Sequence, residues 1–374
     1  MKTNQSSESA QNDSLFSKDG PDNDVALQTV VRYTRNLANF PFSNCLRVND
    51  LERVKSIIFD SINRIKDAEK YHIISSPELF KIETLVDCGI LDEGCKEDAT
   101  LAVNDENYLS CFIINDVDHL KIKCIMPGSD TENAYENCRN IDLQMQQNLQ
   151  YAASYEFGYL NSNFCDVGSG ISFKTMVHLP FLALTGKIGE VSRRLLDKQI
   201  SLSSCFRGSR EGSIFNFSKD AYSQGSFFEI STTNSFYGTE LDQHANFKQE
   251  LMNIIKEERL CCLNYTRKNS TLLKHDVFRA YGISQFSKFI TRQEAIDIMC
   301  AMKMGLNAGL IEGIQHKELN FLPYKIMFTN IERIIKAGKF NFELDIADNI
   351  RMERDRLRAI LLQDELKNIV LKDN

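Results

Sequence analysis

The side chains best placed to do chemistry lie together in residues 111–128, CFIINDVDHLKIKCIMPG. Asp116 and Asp118 sit in an Asn/Asp turn, and Lys121 and Lys123 follow at alternate positions. A carboxylate can orient a nucleophile and take its proton, and a lysine can hold a phosphoryl oxygen. Carboxylate and cation at one end of a sheet suit phosphoryl transfer. Taken alone, the stretch reads first as a solvated hairpin tip with ordinary charges. Two other stretches carry comparable groups. Ser172, Lys174, Met176 and His178 occupy alternate positions, hence one face of an extended segment. Residues 206–213, FRGSREGS, place Arg207, Gly208 and Glu211 in a loop rich in Gly and Arg.

The elements that must position these groups follow from periodicity. Cys111 and Ile113 alternate into the turn, and Leu120, Ile122, Cys124 and Met126 alternate out of it, which predicts a β-hairpin with one buried face. Lys121 and Lys123 then share the opposite face. Leu101 and Val103, with a turn at 104–107, extend the hairpin into an antiparallel meander ended by Pro127-Gly128. Ala134, Cys138, Ile141, Met145, Leu149 and Ala152 trace the apolar stripe of a helix. The Gly168-Ser169-Gly170 turn precedes a strand over 171–178, and Pro180 starts a helix expected to reach about Leu196. Asn49-Asp50-Leu51-Glu52 has the pattern of an Asx-capped helix start, and Thr291 with Glu294 that of a capping box. Helical patterns dominate after about Phe247. The expected fold is α+β, an antiparallel sheet flanked by helices followed by an all-helical C-terminal domain.

Length and composition bound the function. The chain has 374 residues, 43% hydrophobic and 25% charged, enough for two domains with real cores. A net charge of −7 gives no basic footprint for nucleic acid. No apolar run is long enough to span a membrane, and the N-terminal residues do not form an export signal. Eleven cysteines without a C-x-x-C pair then read as reduced, mostly structural thiols in a cytoplasmic protein, with no metal site. Residues 1–23 are polar and read as a disordered tail, 24–255 as a catalytic domain and 256–374 as a helical domain.

Several segments, in this order, resemble the ATP:guanido phosphotransferases, and most closely the bacterial protein-arginine kinases. They are Val31-Arg32-Tyr33-Thr34-Arg35-Asn36-Leu37 with Phe40-Pro41-Phe42, then Asp116-Val117-Asp118-His119-Leu120-Lys121, Glu156-Phe157-Gly158-Tyr159-Leu160, Gly168-Ser169-Gly170, His178-Leu179-Pro180 and Arg207-Gly208. The helix beginning Gln293-Glu294-Ala295 resembles the helical domain of protein-arginine kinases. The resemblance implies a glutamine-synthetase-like catalytic domain that uses ATP, with Mg²⁺ carried by the nucleotide, to phosphorylate protein arginine side chains. It also implies a homodimer working with an activator protein and an ATP-dependent protease.

Carried over residue by residue, the nucleotide would meet Arg32, Lys121, Ser172, Lys174, Met176, Arg207 and Gly208. Asp116 or Glu211 would orient the guanidinium, and Asp348 with Arg351 would correspond to a phosphoarginine pocket. The pattern is incomplete. Val30 and Ser172 stand where the family has arginines, Lys121 replaces another, and Val117 occupies the position of the catalytic base. Lysine keeps the charge but not the planar fork. The expectation is a guanido kinase of weak or altered activity, or an inactive pseudokinase acting as a nucleotide sensor or scaffold. Either form that binds nucleotide requires Arg32, Lys121, Lys174 and Arg207 to converge on one cleft.

Overall fold

The computed structural model describes residues 18–74, 91, 95, 99–104, 109–206, 223–336, 338, 342–343, 345–346 and 349–372. Arg207, Gly208, Glu211 and Asp348 lie outside them.

Strand β1, Ala26–Arg35, is rich in β-branched and aromatic residues, which pack well on a pleated surface. It is buried almost throughout, as befits a central strand. Further strands are β2 (His72–Ile74), β3 (Thr100–Asn104), β4 (Leu109–Ile114), β5 (Leu120–Pro127), β6 (Ala153–Ser154), β7 (Gly158–Tyr159), β8 (Ile171–His178), β9 (Ile200–Ser204) and β10 (Phe227–Thr232). Among the described residues, eight of these form one sheet in the order β2-β3-β4-β5-β1-β8-β10-β9. Every pairing in it is antiparallel. β6 and β7 form a separate small hairpin.

The helices that position the sheet are α1 (Val48–Ile62), α2 (Thr131–Gln146), α3 (Pro180–Leu184), α4 (Ile188–Asp197) and α5 (Glu240–Lys268). One sheet face, with Val31, Tyr33, Ile122, Cys124 and Phe173, is buried in the main core beneath them. Tyr135 of α2, Phe173 of β8 and His244 and Phe247 of α5 stack there, ring on ring. Arg35 ends β1 fully buried. Its guanidinium makes paired bonds to Asp142 of α2 at 2.8 and 3.2 Å and donates to Ser169 O at 2.8 Å. Burial pulls this guanidinium down, but Asp142 outweighs that and holds it above its ordinary value. Gly170 is required at this point. Its φ is +67°, and a Cβ there would lie 2.4 Å from Arg35 Nη1.

Three local expectations differ from what forms. α1 begins at Val48 with Arg47 at the cap position and no side-chain cap. Asp50 already lies inside the first turn, where it pairs with Arg53. The helix expected from Pro180 is two, α3 and α4, because Gly186 takes φ +71° between them. α2 stops at Gln146, leaving Leu149 and Ala152 beyond its end. The strand over 171–178 and the Thr291–Glu294 capping box form as expected.

The chain enters its helical layer without a linker, since α5 runs unbroken through residue 255. There follow α6 (Ser270–Phe286), α7 (Arg292–Asn307), α8 (His316–Ile326), α9 (Phe328–Lys336) and α10 (Ile350–Leu366). This layer grips the segment leading into β1. Arg259 binds Asp22 and Asp24, Asn320 Nδ2 donates to Asn23 O at 2.9 Å, and Lys303 Nζ donates to Asn320 Oδ1 and Asn23 O. Glu258 accepts from Phe181 N and Leu182 N at 2.9 Å each, satisfying first-turn donors of α3.

Two of these groups titrate unusually. Burial pulls Lys303 down to about 7 from 10.5, and burial pushes Glu258 up to about 8 from 4.5 despite its two backbone donors. Between about 4.5 and 8 the folded chain holds a proton at Glu258 that the unfolded chain lacks, so stability falls as pH rises. Between about 7 and 10.5 the unfolded chain holds the extra proton at Lys303, so stability rises with pH. Urea midpoints followed across both windows are expected to show the fall disappear in Glu258→Gln and the rise disappear in Lys303→Met.

Candidate functional site

The turn between β4 and β5 is held rigidly. Asn115 adopts φ +61°, a left-handed conformation that Asn tolerates better than most residues. Its amide donates to Leu51 O, and its backbone N–H closes the turn onto His119 O at 3.0 Å. Asn36, just past β1, clasps the turn from the other side. Its Nδ2 donates to Asp118 Oδ1 at 2.7 Å, and its Oδ1 accepts from His119 N at 2.9 Å. Ser162 N donates to the same Asp118 oxygen at 2.7 Å. Asp118 is therefore a structural acceptor. Burial lowers the His119 pKa. Its Nδ1 accepts from Leu37 N, which leaves Nε2 to donate to Pro41 O in a neutral ring.

Of the described candidates, Arg32, Lys121, Ser172, Lys174 and Met176 share one sheet face. Arg32 lies opposite Lys123 across β1–β5 and opposite Ser172 across β1–β8. Lys121 lies opposite Thr34, Lys174 opposite Val30, and Met176 opposite Gln28. Each of three cations already has a carboxylate. Lys121 Nζ is 2.6 Å from Asp116 Oδ2, with both side chains buried. Arg32 Nη2 is 2.7 Å from Asp166 Oδ1. Lys174 Nζ is 3.0 Å from Glu229 Oε2, a diagonal cross-strand pair in which both side chains remain partly exposed.

Lys123, named with Lys121 at the turn but not assigned to the nucleotide, shares this face as its parity predicts. Three further residues at or beside the face were not predicted and had no local signal. Asp166 lies 134 residues from Arg32 in sequence, and Glu229 looks like one charge in an aromatic strand. Cys95 sits beside Asp116, and burial together with that carboxylate pushes its thiol up to about 11, so it is protonated near neutrality.

Beside these charges the same face is apolar. Val30, Leu101, Val103, Cys111, Ile113 and Ile125 form a buried cluster there, joined by Tyr324 from α8. Whether MgATP fits can be judged from these groups. A triphosphate needs several cations free to turn toward it. Among the described residues the face offers Arg32, Lys121, Lys123 and Lys174 against Asp116, Asp166 and Glu229, with aliphatic side chains at Val30 and Val117. As arranged, these residues do not form a triphosphate cradle. Arg351, assigned with Asp348 to a second anion pocket, is exposed in the first turn of α10. Its neighbours Arg354, Arg356 and Arg358 are paired with Glu332, Glu343 and Asp355.

Known proteins match the chain along most of its length. The family model of the ATP:guanido phosphotransferase C-terminal catalytic domain matches residues 51–261, and that of the protein-arginine kinase McsB C-terminal domain matches residues 270–374. The protein-arginine kinase of Bacillus cereus (strain B4264) is 26% identical over 357 residues, covering 93% of this chain and 94% of its own. That of Geobacillus sp. (strain WCH70) is 26% identical over 360 residues, covering 95% and 94%. Among solved structures, the duplicated taurocyamine kinase from Schistosoma mansoni with bound transition-state-analogue components aligns at TM-score 0.53 and 16% identity, over 67% of this chain and 36% of its own. Lombricine kinase aligns at TM-score 0.50 and 14% identity, over 67% and 70%. At such identities the structural likeness speaks for the fold.

The clasp around the turn predicts the effect of losing it. Asn36→Ala leaves the buried Asp118 carboxylate with one donor fewer and His119 N without its acceptor, a cost of about 2–3 kcal/mol. Chemical denaturation at neutral pH measures it.

Proposed function

Because this chain belongs to the ATP:guanido phosphotransferase family, we propose that it keeps the protein-arginine kinase fold without transferring phosphoryl groups, and that it acts mainly as a binding partner. One observation carries this reading. Asp116, the carboxylate retained at the turn, is buried against Lys121 at 2.6 Å, and the next residue is Val117. One of the two base candidates and a surviving phosphate-binding candidate thus neutralise one another. A guanidinium is protonated near neutrality and attacks phosphorus only if a carboxylate orients it and relieves it of a proton.

The magnitudes favour the same conclusion. A positioned base contributes about 10²–10⁴ in rate. Cationic stabilisation of the transferring group is worth about 10³–10⁵ in arginine-finger cases. Such factors do not simply multiply, but both kinds are diminished here. In this reading residues 24–255 form the catalytic-type domain and 256–374 a helical domain open to partners. The family likeness suggests a second copy, an activator protein or an ATP-dependent protease, in the cytoplasm.

A second reading, weak phosphorylation of protein arginines with MgATP, draws support from Arg32, Lys121, Lys123 and Lys174 sharing a face. An incoming polyphosphate would exchange with Asp166 and Glu229, whose partners Arg32 and Lys174 are partly exposed.

The two readings separate in one assay. Purified full-length chain is incubated with MgATP and arginine-bearing proteins, and phosphoarginine is quantified by mass spectrometry under conditions that preserve the P–N bond. The expected result is no product above a no-enzyme blank. Phosphoarginine above that blank would overturn the proposal, and a turnover below the ~1–100 s⁻¹ usual for kinases would favour the second reading.

A further inference from the structure

Tyr324 stands over the part of the sheet face where an anionic ligand would have to lie. Its helix, α8, carries Phe321 and Tyr324 one turn apart, and both pack against the apolar cluster that holds Val30 and Ile125. Tyr324 is 8% exposed, and its hydroxyl is 3.9 Å from Met176 Sδ. The register gives the consequence. Val30 faces Ile125 on one side of β1 and Lys174 on the other, and Arg32 is the next residue of β1 on the same face. Same-face positions along a strand are about 7 Å apart. A polyphosphate held by both Arg32 and Lys174 would therefore run against Val30, beside the Tyr324 ring.

Toward the start of β1, the cavity between Tyr324, Gln28 and Pro127 is about 20 Å³, enough for one water. α8 is also firmly held. Asn320 on the same helix is held to Asn23 O and Lys303, and Lys325 to Glu365 at 2.6 Å. The aliphatic residue at Val30 is what makes this seat possible, because an arginine there would project a charge into the ring's apolar site.

We propose that α8 and a polyphosphate ligand compete for this face, so that the docked helix excludes the ligand and the ligand binds only when α8 lifts. This deepens the reading above, on which it rests, that the face is a degenerate nucleotide site. The ligand class is a polyphosphate, whether free or carried by a nucleotide.

Calorimetric titration of the full chain with MgATP and, separately, with inorganic tripolyphosphate tests the idea. Tyr324→Ala is expected to bind each at least about tenfold more tightly than wild type, because the docked population no longer reduces the apparent affinity. Tyr324→Phe keeps the ring and is expected to track wild type. Equal affinities for wild type and Tyr324→Ala, or no binding by Tyr324→Ala, would overturn the proposal. Should Tyr324→Ala not fold, hydrogen exchange on the wild-type chain decides. Millimolar tripolyphosphate is expected to speed exchange in residues 316–326, and unchanged or slower exchange there rejects competition. Neither readout involves phosphoarginine, so failure here and failure of the catalytic reading are seen separately.

Discussion

A guanidinium stripped of water has to be fully partnered, and Arg35 shows what that demands. It is buried at the end of the central strand and bonded twice to Asp142. It stacks on Tyr159 at 3.8 Å from the ring centre and donates to Ser169 O. Breaking such a pair by removing one partner leaves an uncompensated buried charge, at a cost of roughly 3–5 kcal/mol. The arrangement leaves little freedom nearby. It fixes α2 against β1, pulls the Gly168-Ser169-Gly170 turn onto the strand end, and requires glycine at 170. The turn is one of the family-like segments, and its backbone here serves the fold.

The same economy governs the candidate face. Charges placed side by side on a sheet either await a ligand or satisfy one another, and the burial of each group decides which. Lys121 and Asp116 are both nearly inaccessible, so their pairing is a condition of folding as much as a feature of a site. Lys174 and Glu229 are partly exposed, and such pairs add little stability and exchange readily. The face thus grades from a committed end at the turn to an adaptable end on β8 and β10, with an apolar stretch between them under Tyr324. The family fold is kept, and Lys121 and Asp116 are held within its packing.

The helical layer takes part in this. Through Lys303, Asn320 and Arg259 it holds residues 22–24, which lead directly into β1, and through Tyr324 it reaches the face itself. Hydrogen bonds and packing therefore link the sheet to the helical layer, from β1 to α8.

What could be read in the sequence was whatever repeats over a few residues. The two-residue period of 111–126 and 171–178, the Asn/Asp turn, the Thr291–Glu294 box and the order of the family segments sufficed for the antiparallel sheet, the helical C-terminal region and the family. They also showed Lys121 and Lys123 sharing a face. Local signals failed where a neighbour decided the outcome. α1 starts without the Asx cap its sequence advertises, and Gly186 splits a helix whose apolar pattern runs on. Only the tertiary structure decided which carboxylate meets each cation and what lies on Val30. Asp166 and Arg32, or Tyr324 and Met176, are more than a hundred residues apart, and they meet because strand register and helix docking bring them together. Periodicity specifies the face a side chain takes, but the group opposite it is set by packing of the whole chain.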